Sequence, residues 1–267
     1  MLGYLGPARP LRELVSQGAH SLLVQSYHPR EMTSGTVNAD GYGAALWLAD
    51  GNPEPVLYRT NLPIWSDPNL VWMGERLRVR AALAAVRSAT PGIGYELSNV
   101  QPFARGRLSF LHNGFITGFR GGPERALRER LGKAAYESIT GTSDSEQIFA
   151  LILDALDKGA ASLPLALRAG IKALDEVCRR EERTAVASII LSDGENLLGC
   201  RWSRGLAPAS LYVSQRLPGA MGAPAVGSFV ASEPIDVSEG ADRAHWREVP
   251  PGSLFVMGKE LHLEPLA

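Results

Sequence analysis

A chain of 267 residues, 45% of them hydrophobic, can bury a substantial core. Its formal net charge of -1 leaves no electrostatic footprint for nucleic acid, and no apolar run reaches the roughly 18 residues of a membrane span, so neither partner is expected. Two cysteines, Cys178 and Cys200, are too few for a disulfide scaffold, and Met1 to Pro7 lacks the features of a signal peptide, so the expected compartment is the cytoplasm.

In chain order, the apolar run Leu22-Leu23-Val24 and the glycine-opened stretch Tyr42 to Ala49 read as strands. Asp67-Pro68 opens a helix, with Asp as cap and Pro in the first turn. Ala81 to Val86 is an apolar run of small residues ending at Arg87, and Leu108 to Ile116 is a strand interrupted by a His112-Asn113-Gly114 turn. Pro123 to Ile139, Ser145 to Leu156 and Leu163 to Arg179 carry the periodicity of amphipathic helices. Val186 to Leu191 and Asn196 to Trp202 flank Asp193-Gly194, a hairpin signal. Leu211 to Ser214, Ser228 to Ala231 and Leu254 to Met257 add further strands. Strands, then helices, then strands predicts an α+β fold of two antiparallel sheets covered by helices, not a parallel α/β fold. No repeat or long polar linker divides residues 1–267, which predicts a single domain.

Several chemistries lack their motifs. The five histidines are scattered without metal-ligand spacing, and Gly41-Tyr42-Gly43 lacks the third glycine of a dinucleotide site. Neither a phosphate-binding loop nor a Gly-x-Ser-x-Gly elbow occurs. No metal and no cofactor is expected.

What remains is concentrated between Arg87 and Glu146. Arg87 ends an apolar strand, where its planar fork could hold a ligand carboxylate or a structural partner. In His112-Asn113-Gly114, Asn offers a side-chain amide and Gly an approachable backbone N–H, the donors an oxyanion needs; an ordinary Asn-Gly turn explains the tripeptide as well. His112 reads as a satisfied structural histidine. Ser143-Asp144-Ser145-Glu146 has capping-box spacing, and the same geometry sets Asp144 at a helix start, able to face a ligand ammonium. A guanidinium for a carboxylate, donors for an oxyanion and a carboxylate for an ammonium together suit a glutamine or γ-glutamyl group.

In this order, and with Asn99-Val100-Gln101-Pro102-Phe103, the motifs resemble the class II glutamine amidotransferases, a branch of the N-terminal-nucleophile hydrolases. Gln25-Ser26-Tyr27, Asn38-Ala39-Asp40-Gly41-Tyr42-Gly43, Tyr58-Arg59, Pro63-Ile64-Trp65, Ala85-Val86-Arg87-Ser88-Ala89-Thr90, Ala231-Ser232-Glu233-Pro234 and Pro250-Pro251-Gly252-Ser253 look like those of the γ-glutamyl amidases of ergothioneine biosynthesis. The resemblance spans nearly the whole chain. It implies a four-layer αββα fold and amide hydrolysis at a γ-glutamyl carbon, with Arg87 on the substrate α-carboxylate, Asp144 on its α-ammonium, and Asn113 and Gly114 as the oxyanion hole.

It departs at the beginning. Members of that family open with Met-Cys-Arg and one further residue before Leu-Gly-Tyr-Leu-Gly-Pro, and loss of the Met frees a cysteine that is the nucleophile and carries its own base, the α-amine. Here the sequence opens Met1-Leu2-Gly3-Tyr4, and neither Cys178 nor Cys200 carries a free α-amine. The expectation is an inactive polypeptide as it stands, whose reading frame starts at a Met-Cys-Arg just upstream. The alternatives are a glutaminase subunit delivering ammonia to a synthetase partner, or a non-catalytic binder of γ-glutamyl compounds. The leaving amine is not legible, and a homo-oligomer is compatible with the sequence.

Overall fold

The computed structural model describes residues 1–32, 35–88, 94–217, 225–241, 243, 245–258 and 260–266. The chain opens with strand β1 (Leu2–Pro10) and helices α1 (Leu11–Val15) and α2 (Leu22–Tyr27), followed by β2 (Tyr42–Leu48) and β3 (Val56–Thr60). Helix α3 (Asn69–Arg76) precedes β4 (Arg78–Val86), β5 (Phe103–Arg105) and β6 (Leu108–Ile116). Four helices follow in a block: α4 (Pro123–Arg128), α5 (Lys133–Glu137), α6 (Asp144–Asp157) and α7 (Leu163–Arg180). Strands β7 (Ala185–Ser192), β8 (Leu197–Arg204), β9 (Tyr212–Leu217), β10 (Ala225–Ala231), β11 (Arg247–Glu248), β12 (Ser253–Met257) and β13 (Leu261–Pro265) come last.

The strands form a seven-stranded sheet, β11-β9-β10-β1-β4-β2-β3, and a six-stranded sheet, β13-β12-β8-β7-β6-β5. Neighbours in both run antiparallel. Alternation along each strand builds the layers. Met1 packs between the sheets with Leu83, Leu111, Leu197 and Phe255, whereas Leu2 and Tyr4 turn to the opposite face and meet Leu11, Leu14 and Leu22 beneath α1 and α2. On the outer face of the second sheet, Phe110, Ile189 and Leu191 pack against Ile152 of α6 and Leu174 of α7, and Phe110 stacks on Phe149 with ring centroids 5.1 Å apart. The order is helices, sheet, sheet, helices, as the element pattern predicted.

Several elements differ from expectation. Leu22-Leu23-Val24 is helical: α2 buries Leu22, Gln25 and Ser26, which recur at the helical spacing of three and four. Two of those three are polar, satisfied by bonds from Gln25 Nε2 to the His20 carbonyl and from Ser26 Oγ to the Leu23 carbonyl, so hydrophobicity alone hid the period. Strand β6 runs unbroken through His112-Asn113-Gly114, because β7 pairs with it without a shift from Ser109↔Ser192 to Ile116↔Ala185. Residues 123–139 form two helices; Gly132 lies between them, its N–H held by Asp154 Oδ1 (2.8 Å). No element was expected over Leu2–Pro10, where strand β1 lies between β10 and β4.

Asp67 does more than lead into α3. Its Oδ1 accepts from the Asn69 N–H (2.8 Å), while Oδ2 accepts from the hydroxyls of Tyr42 (2.6 Å) and Tyr58, tying the helix to β2 and β3. The cap of α3 is Pro68, not the expected Asp67, so Asp67→Ala should cost about 2–4 kcal/mol through the lost turn bond to the Asn69 N–H and a stranded buried hydroxyl. The check is urea unfolding, where the midpoint should fall without a change of slope.

Candidate active site

The register of the first sheet brings three chain segments to one end. Leu2 on β1 lies opposite Ala84 on β4 and Ala231 on β10, so Met1, Arg87 and Ser232 all emerge at that edge. Met1 is buried there; its amine donates to Ser232 Oγ (2.8 Å), and its carbonyl accepts from the Ser232 N–H (3.0 Å). Burial pushes this amine down to about 6, partly opposed by the charge of Glu233. Glu233 is itself held by His20 Nε2 (2.6 Å) and the Arg30 N–H (2.8 Å).

Arg87 stands just past the end of β4. Its backbone N–H donates to the Gly41 carbonyl (2.9 Å) and its own carbonyl accepts from the Asp40 N–H (2.9 Å). In the guanidinium, Nη2 donates to the Gly94 carbonyl (2.9 Å), whereas the buried Nη1 meets no hydrogen-bond partner among the described residues. Burial lowers the Arg87 pKa, and nearby charge, Asp40 first, opposes the shift. A half-buried guanidinium whose spare donor is shut off from water is electrostatically costly until an anion arrives. Ala89 and Thr90, which follow in the motif, lie outside the described residues.

From Gly94 a run of hydrogen bonds leads to the helical layer. The Gly94 carbonyl also accepts from Asn99 Nδ2 (3.1 Å), and Asn99 Oδ1 accepts from the Thr142 N–H (2.7 Å), two residues before Asp144. Asn99 Nδ2 further contacts Thr142 Oγ1 and Glu96 Oε2, both at 3.1 Å. Gln101 brackets β6 from the same segment: Oε1 accepts from the His112 N–H (2.6 Å) and Nε2 donates to the His112 carbonyl (2.9 Å). Its backbone lies so close to β2 that a Cβ on Gly43 would stand 2.3 Å from the Gln101 carbonyl oxygen. These amides link the end of β4 with β6 and the start of α6. The sequence offered them only as part of a motif, without a role.

Asn113 is exposed on β6, and its side chain makes no hydrogen bond among the described residues. Gly114 is required by close packing, since a Cβ there would sit 1.9 Å from the Val186 carbonyl oxygen. Asp144 is buried; Oδ2 accepts from the Ile116 N–H (2.9 Å) and Oδ1 from the Ser145 N–H (2.8 Å). A carboxylate has about four acceptor positions, so capacity for an ammonium remains. The capping box is half formed. Ser143 Oγ accepts from the Glu146 N–H (3.2 Å), but Glu146 reaches past the cap to the N–H groups of Thr140 (2.9 Å) and Gly141 (2.6 Å).

Both ring nitrogens of His112 are engaged. The Val186 carbonyl can only accept, so Nε2 (3.1 Å) carries the proton and Nδ1 accepts from the Ser145 hydroxyl (2.8 Å). Among the described residues, no three His, Cys, Asp or Glu side chains gather as a metal site, and no helix is long and apolar enough to cross a membrane.

Residues 16–261 match the family model of the class II glutamine amidotransferases. The chain belongs to this family. It is 32% identical over 249 residues to the γ-glutamyl-hercynylcysteine sulfoxide hydrolase of Mycolicibacterium smegmatis, covering 93% of this chain and 91% of that protein. A solved glutamine aminotransferase class-II domain protein of Silicibacter pomeroyi superposes with a TM-score of 0.69 at 25% identity, over 100% of this chain and 98% of that one. Glutamine phosphoribosylpyrophosphate amidotransferase of Bacillus subtilis superposes at 0.59 with 15% identity, over 100% of this chain and 49% of that one, a likeness of fold alone. The fold is the αββα sandwich of the N-terminal-nucleophile hydrolases.

Burial lowers the His112 pKa below its ordinary value, with the Asp144 charge and the Val186 carbonyl acting against it. The unfolded chain therefore takes up this proton first as pH falls through about 6.5, and stability present above that value is lost below it. His112→Gln should flatten this part of the dependence, measured as the midpoint of thermal unfolding between pH 7.5 and pH 5.

Proposed function

We propose that the protein, acting as one domain, hydrolyses the γ-glutamyl amide bond of a substrate of the γ-glutamyl-hercynylcysteine sulfoxide type, with an N-terminal cysteine as nucleophile. The observation that carries the reading is the half-buried guanidinium of Arg87, whose buried Nη1 meets no partner among the described residues, joined through Gly94 and Asn99 to the segment that ends at Asp144. A γ-glutamyl head brings both charges of an α-amino acid. Arg87 takes the carboxylate through its spare donor, and Asp144 takes the ammonium. Asn113, on a strand edge bracketed by Gln101, supplies an amide donor to the oxyanion, with the Gly114 N–H beside it.

The register of β1 supports the position of the nucleophile. Following Leu2↔Ala84 and Gly3↔Leu83 backwards, Met1 would face Ala85, the preceding residue Val86, and the one before that Arg87. A cysteine at that last place would reach the same sheet edge as the carboxylate-binding guanidinium. Burial at this edge already lowers the Met1 amine to about 6, the range an α-amine needs to act as a base at neutral pH.

Two forms test the reading: the sequence as it stands, and one extended by Met-Cys-Arg before Met1. The extended form should lose its first Met by mass spectrometry and release glutamate from a γ-glutamyl-cysteine conjugate; the shorter form should not. An extended form that sheds its Met and stays inert sinks the proposal, and release of ammonia from glutamine alone would shift it to a glutaminase subunit. In the extended form, Arg87→Ala and Asp144→Ala should weaken substrate binding by about 2–5 kcal/mol. Asn113→Ala should instead lower kcat by roughly two to three orders of magnitude with little change in binding, because an oxyanion exists only on the way to products. Steady-state kinetics with a binding titration separates the two.

A further inference from the structure

His112, Ser145 and Asp144 are all buried, and the γ-glutamyl reading uses only the carboxylate. Strand β6 and helix α6 bring the imidazole and the hydroxyl together from 33 positions apart. The Ser145 hydroxyl lies 2.8 Å from His112 Nδ1 and 3.4 Å from Asp144 Oδ1. It has one proton, and it can give that proton to only one of these acceptors. On the far side of the ring, Nε2 donates to the Val186 carbonyl (3.1 Å), which makes Nδ1 the acceptor whenever the imidazole is neutral.

The elements around the ring leave Asp144 as the group that senses this choice. Strand β7, on one side of β6, carries no titratable side chain. Strand β5, on the other, carries Arg105, which lies opposite Leu108 and is held by Asp157 (2.7 and 2.8 Å). Strand β4 meets the opposite face of β6, where Leu83 packs with Leu111. From α6, Glu146 turns to the N–H groups of Thr140 and Gly141, so the charge acting on the ring is that of Asp144. Asp144 itself takes the Ile116 N–H on Oδ2 and the Ser145 N–H on Oδ1. While the Ser145 hydroxyl faces Nδ1, one acceptor position of Oδ1 stays open to a ligand. A protonated imidazole reverses the allocation: both ring nitrogens then donate, Nδ1–H takes the Ser145 oxygen as acceptor, and the hydroxyl proton turns to Asp144 Oδ1.

We propose that His112 and Ser145 are positioning residues for Asp144: the neutral imidazole draws the Ser145 hydroxyl away from the carboxylate and leaves it open to the substrate α-ammonium, and the protonated imidazole closes it. The proposal rests on the γ-glutamyl reading of Asp144. Two effects of protonation act in the same direction. The carboxylate gains a donor that competes with the ammonium, and a positive charge appears one hydroxyl away. Burial keeps His112 from protonating in its ordinary range, so the carboxylate is open at neutral pH and closes only as pH falls below about 6.5. The coupling is reciprocal: an ammonium on Asp144 disfavours the imidazolium by the same factor.

The test titrates L-glutamine and 4-carbamoylbutanoate, the same molecule without its α-ammonium, into the full chain by calorimetry between pH 7.5 and pH 5. Both ligands carry the carboxylate, so protonation of the Met1 amine acts on them alike. Relative to this control, glutamine should bind about tenfold more weakly at pH 5 than at pH 7.5. His112→Gln should remove that fall and Ser145→Ala reduce it, while Ser145→Thr, which keeps the hydroxyl, retains it; unfolding curves at each pH confirm that the variants are folded. In the unaltered chain, the His112 ring nitrogens, followed by NMR, should take up their second proton at lower pH once glutamine is bound, a shift that packing alone would not produce. Equal pH dependence for the two ligands, or a fall that survives His112→Gln, overturns the relay and leaves the γ-glutamyl reading standing. If glutamine does not bind, or binds no better than 4-carbamoylbutanoate at pH 7.5, both readings fall.

Discussion

The side-chain amide of Asn99 holds the candidate site together. It is buried, and it contacts the Gly94 carbonyl, Glu96, the Thr142 hydroxyl and the Thr142 N–H at once. Gly94 belongs to the segment that leaves β4 and receives the Arg87 guanidinium; Thr142 belongs to the segment that enters α6 and leads to Asp144. The amide thus spans two parts of the chain that ladder bonds do not join. Hydrogen bonds in such a buried setting fix separation, because an amide left half satisfied there is costly. The distance between the Arg87 and Asp144 charges, which an α-amino acid head would match on the proposed reading, depends on that span.

The scaffold around it is stiff for ordinary reasons. Each sheet is covered on one side by helices and on the other by its partner sheet, so apolar residues on both faces of β1, β4 and β7 are removed from water. Polar groups then collect where the strands run out, at the edge shared by Met1, Arg87 and Ser232. Gly43 and Gly114 let neighbouring backbone come closer than any side chain would permit. Among the described residues, the Arg87 Nη1 donor finds no partner in this rigid frame. Its desolvation is a standing cost that a bound carboxylate would offset, which is the physical basis of affinity at such a site.

Much of this was legible in the amino-acid order. The 3.6-residue period of α6 and α7, the Asp193-Gly194 hairpin and the sequence of strands, helices and strands follow from local propensity and alternation, which act over a few residues. The chemical types at Arg87, Asn113 and Asp144 were legible too, since guanidinium, amide and carboxylate recognise their partners by charge and donor geometry wherever they stand.

Tertiary structure decided the rest. Strand β1 is central although rich in glycine and proline, because β4 and β10 supply its ladder; α2 is a helix although Leu22-Leu23-Val24 looks like a strand, because Gln25 and Ser26 are satisfied within the buried face. The unbroken path of β6 through His112-Asn113-Gly114 required β7 alongside. The bracketing by Gln101, the span of Asn99 and the meeting of His112 with Ser145 have no local signature. Each joins residues between 11 and 43 positions apart. Local propensity is a property of neighbours in the chain, whereas these contacts exist only after folding has closed the intervening loops.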